Sequence, residues 1–140
     1  NIKMIYTNSD GGARGNPGPG AIGLVVRDED KILEEYGEVL KGNVTNNVAE
    51  YNGLIRALEV ASKYTQGEIT CILDSELIVK QLLGEYRVRN QLLMKLFLKV
   101  QKLQNRFDKI TYVHKRREDK WQKHVDYILN KKLDEHLGKE

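Results

Sequence analysis

The order of strand-like and helix-like segments is the feature that most constrains the fold of this 140-residue chain. Three strand-like segments come first, one over residues 2–9 and two within 20–42 that are separated by a polar turn at 28–31. Helices and strands then alternate, with helices over 46–64, 75–84, 90–107 and 120–137 and strands over 68–74 and 109–114. Three strands in a meander followed by this alternation predict an α/β fold in which helices pack on a mixed sheet.

Composition predicts a single globular domain over residues 1–140. Hydrophobic residues make up 40% of the chain and charged residues 31%, and a chain of this length can bury a substantial core. No apolar run reaches the roughly 18–20 residues that span a bilayer, and no signal peptide is evident. We therefore expect a cytoplasmic protein with no membrane partner. The single cysteine, Cys71, lies among β-forming residues and is interpreted as core filler in a reducing compartment.

Four carboxylates occupy positions where a charge is unexpected. Asp10 ends the first predicted strand and precedes a segment rich in glycine and proline, and Asp74 ends the fourth. The strand ends of open α/β sheets are where ligand sites gather. Glu50 and Asp126 lie on apolar helix faces, which continue through Leu54, Ala57 and Ala61 for Glu50 and through Leu129, Leu133 and Leu137 for Asp126. We expect the four acids to converge at one edge of the sheet.

Each acid also has a purely structural interpretation, which the sequence alone leaves open. These interpretations are a capping box from Asn47 to Glu50, a helix cap by Asp74, an Asx turn by Asp10, and an ion pair of Asp126 with Lys123 or Lys131. Four separate explanations are needed in that case, whereas a single shared site accounts for all four acids at once.

Converging carboxylates would repel each other strongly unless a cation lay among them. The chain has no cluster of histidine and cysteine of the kind that binds zinc. A set of oxygen ligands favours Mg²⁺ or Mn²⁺, which take their remaining ligands from water and substrate phosphates. Two such ions about 3.5–4 Å apart would activate a water and stabilise the leaving oxygen of a phosphodiester. This chemistry predicts a nuclease.

Three segments, SDGGARGNPGPGAIG, TNNVAEYNGLIRALE and LDSELIVKQLLGEY, closely resemble signature segments of type 1 ribonuclease H, in that family's order and spacing. The resemblance implies the ribonuclease H-like fold, a five-stranded mixed sheet with strands 1–3 antiparallel and strands 4 and 5 parallel to strand 1, flanked by helices. It implies an endonuclease that hydrolyses the RNA strand of RNA–DNA hybrids with two Mg²⁺ ions (Mn²⁺ as a substitute), leaving 5′-phosphate and 3′-hydroxyl ends. The family's metal-ligand positions are matched by Asp10, Glu50, Asp74 and Asp126.

The resemblance also implies how the substrate is held. Glycines let a backbone approach a ligand closely and leave amides free to donate hydrogen bonds. In the family this segment lies along the minor groove of the hybrid, where 2′-hydroxyls distinguish RNA from DNA. The residues that would approach the RNA are Gly11, Gly12, Ala13 and Arg14. Other substrate-binding positions are matched by Asn16, Asn46, Asn47 and Glu76, with Thr45 at a DNA-phosphate contact.

The sequence departs from the family's common form at several places. Asn8 and Ser9 look like a two-residue insertion before Asp10, for which we expect a β-bulge. The basic protrusion of the bacterial enzymes is missing, as in the shorter, archaeal-like branch. The segment before Asp126 is about two residues longer than the common form and lacks its asparagine. Candidates there for product release or phosphate contact are His114, Arg117 and His124.

A basic ridge on the third predicted helix offers a substitute for the protrusion. Its residues recur every three or four positions and so share one helix face, and two arginines extend it at the helix entrance: Lys95, Lys99, Lys102 and Arg106, with Arg87 and Arg89. The opposing apolar stripe is predicted to contain Leu92, Leu96, Phe97, Val100, Leu103 and Phe107. We hypothesise that the ridge contacts DNA phosphates, and the alternative is a merely solvated helix surface.

Other functions remain open at this point. The chain is alternatively a catalytically inactive module that binds RNA–DNA hybrids, or a nuclease or integrase-type enzyme that cuts DNA on the same fold. It is also interpretable as a ribonuclease H domain cut from a larger protein of the reverse-transcriptase type, since it begins at Asn1. We expect a monomer, because no apolar surface stripe is left over.

Overall fold

The computed structural model describes residues 4–138 and contains one five-stranded sheet with strand order β3-β2-β1-β4-β5. Strands β1, β2 and β3 pair antiparallel, and β4 pairs parallel with both β1 and β5. The predicted fold class is confirmed. The elements are β1 Ile5–Ala13, β2 Gly18–Arg27, β3 Ile32–Val44, α1 Asn46–Ala61, β4 Glu68–Leu73, α2 Glu76–Leu82, α3 Gln91–Gln104, β5 Lys109–His114 and α4 Lys120–His136.

The helices cover the two faces of the sheet unequally. The main core lies between the sheet and α1, α2 and α3, and includes Leu24, Leu54, Ile69, Ile78 and Val100. Helix α4 packs on the opposite face through Leu129 and Leu133. Within the described range, no helix combines the length and the apolarity that crossing a membrane requires.

The first strand is longer than predicted, and this corrects two expectations. Asp10 does not end the strand, because β1 continues to Ala13, which pairs with Gly20 of β2. The expected β-bulge at Asn8 and Ser9 is also absent, since the register with β2 runs unbroken through both residues. The glycines after Asp10 therefore form part of a β-hairpin. Because glycines have no side chain, this part of β1 can pair with β2 and still pack closely against a helix.

Smaller corrections concern helix ends and exposed leucines. Helix α1 ends at Ala61 rather than at 64, and α3 ends at Gln104 rather than at 107. The chain leaves α3 there, and the amide of Asp108 donates to the carbonyl of Gln66.

Two leucines assigned to apolar helix faces are exposed. Leu92 is 53% exposed and Leu137 38% exposed, so neither belongs to the apolar face assigned to it. The buried face of α3 is set by Leu93, Val100 and Leu103, and Leu92 points about 100° away from Leu93.

The backbones of β1 and α1 approach each other across two glycines. A Cβ atom at Gly11 would lie 2.1 Å from the carbonyl oxygen of Ala49, and one at Gly53 would lie 3.0 Å from the carbonyl oxygen of Asp10. The contact brings the second turn of α1, which carries Glu50, against the strand that carries Asp10.

This contact predicts unequal effects of alanine at the two neighbouring glycines of β1. Gly11→Ala should lower the free energy of unfolding by about 3 kcal/mol, roughly 10 °C in Tm, because the added methyl group meets backbone atoms that cannot move separately. Gly12→Ala is the matched control, since its Cβ would lie 3.6 Å from a Leu129 methyl group. Thermal unfolding followed by circular dichroism measures both, and equal effects would contradict this account of the contact.

Candidate active site

Three of the four predicted acids meet where β4 ends beside the longer strand β1. Asp10 lies on β1 and Asp74 directly follows β4, and the preceding residues of these strands, Ser9 and Leu73, are register partners. Glu50 reaches the same point from α1. One carboxylate oxygen from each of the three lies within 4.8 Å of the others. The predicted convergence is therefore observed for Asp10, Glu50 and Asp74.

Burial makes this cluster electrostatically unfavourable. Asp10 is 5% and Glu50 4% exposed. Burial, and then the nearby charge of Asp74, raise the pKa of Asp10 to about 7. Burial and the charge of Asp10 raise the pKa of Glu50 well above its ordinary value. Burial also raises the pKa of Asp74, against the opposing effect of the Arg117 guanidinium, whose Nε lies 4.0 Å from a carboxylate oxygen.

The cluster suits a divalent cation. The amide of Gly11 donates to Oδ1 of Asp10 at 2.9 Å and to Oε2 of Glu50 at 3.3 Å. Within residues 4–138, the other Glu50 oxygen, Oε1, is buried without a hydrogen-bond partner. A buried carboxylate oxygen without a partner is costly. Three converging carboxylates with an unused oxygen form the hard, anionic donor set that Mg²⁺ and Mn²⁺ prefer.

Asp126 lies farther from the cluster. It lines the same cleft from α4, and its charge contributes to the raised pKa values of Asp10 and Asp74. Its oxygens fall outside the close group of three. In the described part of the chain its carboxylate forms no ion pair with Lys123 or Lys131, and instead Oδ1 accepts a hydrogen bond from Nδ2 of Asn130 at 3.2 Å.

The structural interpretations of the other acids are not observed. Thr45 caps α1, where its hydroxyl oxygen accepts from the amide of Val48, so Asn47 is not the N-cap. Ser75 caps α2 in place of Asp74. Asp10 lies within a strand instead of an Asx turn.

The acids line a cleft of about 430 Å³ that also contains much of the predicted substrate-binding segment. Its further lining residues include Gly11, Gly12, Ala13, Arg14, Asn46, Asn47 and Arg117. The hairpin and the start of α1 are tied together, because the amide of Ala13 donates to Asn46 Oδ1 at 2.9 Å and the amide of Asn46 donates to Asn16 Oδ1 at 2.9 Å.

The remaining predicted residues lie outside the cleft lining. Glu76 is exposed, 3.9 Å from Lys80. His114 ends β5 and pairs with Leu73, the residue before Asp74, whereas His124 contacts Glu35 of β3 at 3.3 Å. All the residues of the basic ridge are exposed on α3 or the segments that flank it: Arg87, Arg89, Lys95, Lys99, Lys102 and Arg106.

A buried polar network anchors α4, and the sequence reasoning missed it. Asn8 donates to Gln122 of α4 at 2.8 Å and accepts from Nε of Arg27 at 2.7 Å. The Arg27 guanidinium lies between the rings of Tyr6 and Trp121, at 4.7 and 4.6 Å from their centres. The one available signal was an asparagine inside a strand-like segment, which we interpreted as an insertion.

Comparison with known proteins assigns a class to this fold and cleft. A family model described as reverse transcriptase-like matches residues 8–121. A bifunctional protein of Mycobacterium tuberculosis is 41% identical over 110 residues, which are 77% of this chain and 30% of that protein. Ribonuclease HI of Halobacterium salinarum is 35% identical over 134 residues, which are 94% of this chain and 65% of that protein.

Solved structures agree with these matches. The N-terminal RNase H domain of the mycobacterial protein has a TM-score of 0.89 at 35% identity, covering 96% of both chains. LC11-RNase H1, isolated from compost and solved in complex with an RNA/DNA hybrid, has a TM-score of 0.88 at 38% identity, covering 95% of this chain and 99% of that one. Fold and cleft thus define a ribonuclease H-like protein. The chain belongs to the type 1 ribonuclease H family, in its short, archaeal-like branch without the basic protrusion.

The electrostatics of the cluster predict that Asp10→Asn stabilises the metal-free protein. At pH 8 the substitution should raise Tm by about 3–8 °C, roughly 1–2 kcal/mol, because it removes a buried charge beside two others. The folded-state pKa of Asp10 is raised to about 7. Ionised Asp10 therefore lowers the stability of the wild type fully above pH 7, and this loss becomes smaller as the pH falls and Asp10 is protonated. The Tm difference between Asp10→Asn and the wild type should accordingly be smaller at pH 5.5 than at pH 8.

The control is Asp108→Asn, which removes the same charge from an exposed position. Thermal unfolding in chelator over pH 5.5–8 measures both variants. A Tm of Asp10→Asn at or below that of the wild type at pH 8 would contradict the electrostatic account.

Proposed function

We propose that the chain is a single catalytic domain over residues 1–140 that hydrolyses the RNA strand of RNA–DNA hybrids and leaves 5′-phosphate and 3′-hydroxyl ends. The observation that carries the proposal is the cluster of two buried carboxylates and one partly buried carboxylate, Asp10, Glu50 and Asp74, within 4.8 Å of one another, in a chain of the ribonuclease H family. Support for the substrate comes from LC11-RNase H1, which was solved with an RNA/DNA hybrid.

The ligands of two Mg²⁺ ions, or of Mn²⁺ in their place, are Asp10, Glu50, Asp74 and Asp126 in this proposal. Bound divalent cations supply Lewis-acid stabilisation of phosphate charge and a water of lowered pKa. The carboxylates would hold the cations in the cleft between β1, the end of β4, α1 and α4, and the raised pKa values of Asp10, Glu50 and Asp74 express how strongly the site favours positive charge. The Arg117 guanidinium, close to Asp74, is poised for a phosphate contact at the cleft rim.

The substrate is held by backbone and amide groups along the cleft. Gly12 and Ala13 present a strand edge without bulky side chains, so the minor groove of a hybrid can approach the backbone. Asn46 and Asn47, in the first turn of α1, line the same cleft. Thr45, the residue before the first turn of α1, is assigned to a DNA phosphate, since a helix N-terminus favours an anion. Of the two histidines, we assign product release to His114, because it pairs in the sheet with Leu73, the residue before Asp74.

One alternative loses one of its two supports. The inactive-module hypothesis depends on a displaced Asp10 and on the unusual segment before Asp126, and the unbroken register of β1 leaves Asp10 beside Glu50 and Asp74. The chain spans 30% of the first mycobacterial relatives and 65% of the archaeal one. The activity proposed for this domain is therefore not extended to any longer protein.

The proposal predicts Mg²⁺-dependent cleavage of one strand only. A hybrid with different labels on RNA and DNA should lose its RNA strand with Mg²⁺ and stay intact with chelator. Asp10→Asn should reduce the rate at least about 10³-fold, because it removes a charge from the cation site. Asp108→Asn serves again as the exposed control. Binding of the hybrid without cleavage by the wild type, or cleavage of the DNA strand, would contradict the proposal.

A second prediction concerns the basic ridge on α3. Changing Lys95, Lys99, Lys102 and Arg106 to Gln should raise KM for the hybrid with kcat unchanged. The slope of log KM against log salt should flatten by about one unit for each phosphate that the variant no longer neutralises. The control changes four exposed lysines elsewhere to Gln, namely Lys31, Lys109, Lys131 and Lys132. Equal salt slopes for the two quadruple variants would show that the ridge is only a solvated surface.

A further inference from the structure

Asp126 is restrained by a side chain one helical turn farther along α4. Nδ2 of Asn130 donates to the main-chain oxygen of Asp126 at 2.9 Å and to its carboxylate Oδ1 at 3.2 Å. One amide nitrogen thus holds both the backbone and the side chain of the same residue. The Asp126 carboxylate therefore stands at the cleft wall and outside the close group of Asp10, Glu50 and Asp74.

Arg14 fixes which end of the Asn130 amide faces Asp126. Nη2 of Arg14 donates to Oδ1 of Asn130 at 3.2 Å and to its main-chain oxygen at 3.3 Å. A guanidinium can only donate hydrogen bonds, and a carboxylate can only accept them. The Asn130 side chain satisfies both neighbours in one orientation, with its oxygen toward Arg14 and its NH₂ group toward Asp126. Nη1 of Arg14 also pairs with Asp134 at 2.6 Å, which holds the guanidinium in place.

Arg14 belongs to the hairpin that lines the cleft. The neighbouring residue Ala13 bonds to Asn46 at the start of α1. The hairpin is therefore attached to α1 on one side and to α4 on the other. A role in stability alone does not explain this arrangement, because partly exposed ion pairs such as Arg14–Asp134 contribute little to stability.

We infer that Asn130 is a positioning residue for the Asp126 carboxylate and that Arg14 acts through Asn130, so that the cleft hairpin sets the fourth acid of the site. The inference rests on the proposed function, in which Asp126 is a cation ligand. It assigns Arg14 a role inside the protein in addition to the approach to RNA expected from the sequence.

The test combines Mn²⁺ titration calorimetry without substrate and steady-state cleavage of a hybrid. Asn130→Ala should weaken Mn²⁺ binding and lower kcat about tenfold, since residues that orient metal ligands have effects of this size, and should leave KM for the hybrid unchanged. In an Asp126→Asn background the same substitution should have no further effect on either quantity. Gln101→Ala, at an exposed position of α3, is the control for replacing a polar helix residue.

Arg14→Ala should produce a smaller loss of Mn²⁺ affinity and kcat, and this loss should vanish when Asn130 is already Ala. Unchanged Mn²⁺ binding in Asn130→Ala, or effects that add to those of Asp126→Asn, would overturn the role of Asn130. A change in KM alone on Arg14→Ala would overturn the link through Arg14. If the wild type binds Mn²⁺ but cuts no hybrid, the proposed activity fails while the calorimetric cycle still decides this inference. A wild type that binds no Mn²⁺ overturns both.

Discussion

The close approach of β1 and α1 is the contact on which the site depends. Gly11 and Gly53 let the two backbones meet where any larger residue would separate them. Glu50 is thereby carried against Asp10, and the parallel pairing of β1 with β4 adds Asp74 from the neighbouring strand end. The acidic cluster therefore follows from main-chain packing and sheet topology.

The same packing makes the site depend on a cation. Burial removes water from Asp10 and Glu50, and the nearby charges raise their pKa values, so the metal-free cluster opposes its own ionisation. The free energy of folding offsets the repulsion between these carboxylates, and a bound divalent ion would reduce that repulsion. On the other face of the sheet, α4 is held by a separate polar network around Asn8, Gln122 and Arg27. The fourth acid, Asp126, is therefore positioned through the contacts of α4 with β1, the strand that also carries Asp10.

Local pattern predicted most of the architecture. The sequence of strand-like and helix-like segments predicted the order of the elements. The position of Glu50 on an otherwise apolar helix face predicted that it belongs to the site. The errors occurred where distant residues determine the outcome. Glycines have low strand propensity, yet Gly11 pairs with β2 at a position where the tight contact with α1 leaves no room for a side chain. Asn8 is buried without penalty because Gln122, 114 positions away, satisfies it. The Arg14–Asn130 contact likewise spans 116 positions, beyond the reach of any local pattern.

The most direct test of the account is the anomalous scattering of Mn²⁺ in crystals of the wild-type protein. The account predicts a peak at the carboxylates of Asp10, Glu50 and Asp74, and its loss in crystals of Glu50→Gln grown under the same conditions. Wild-type crystals with Mn²⁺ only at surface acids elsewhere, or a peak that persists unchanged in Glu50→Gln, would contradict the claim that these three carboxylates form a divalent cation site.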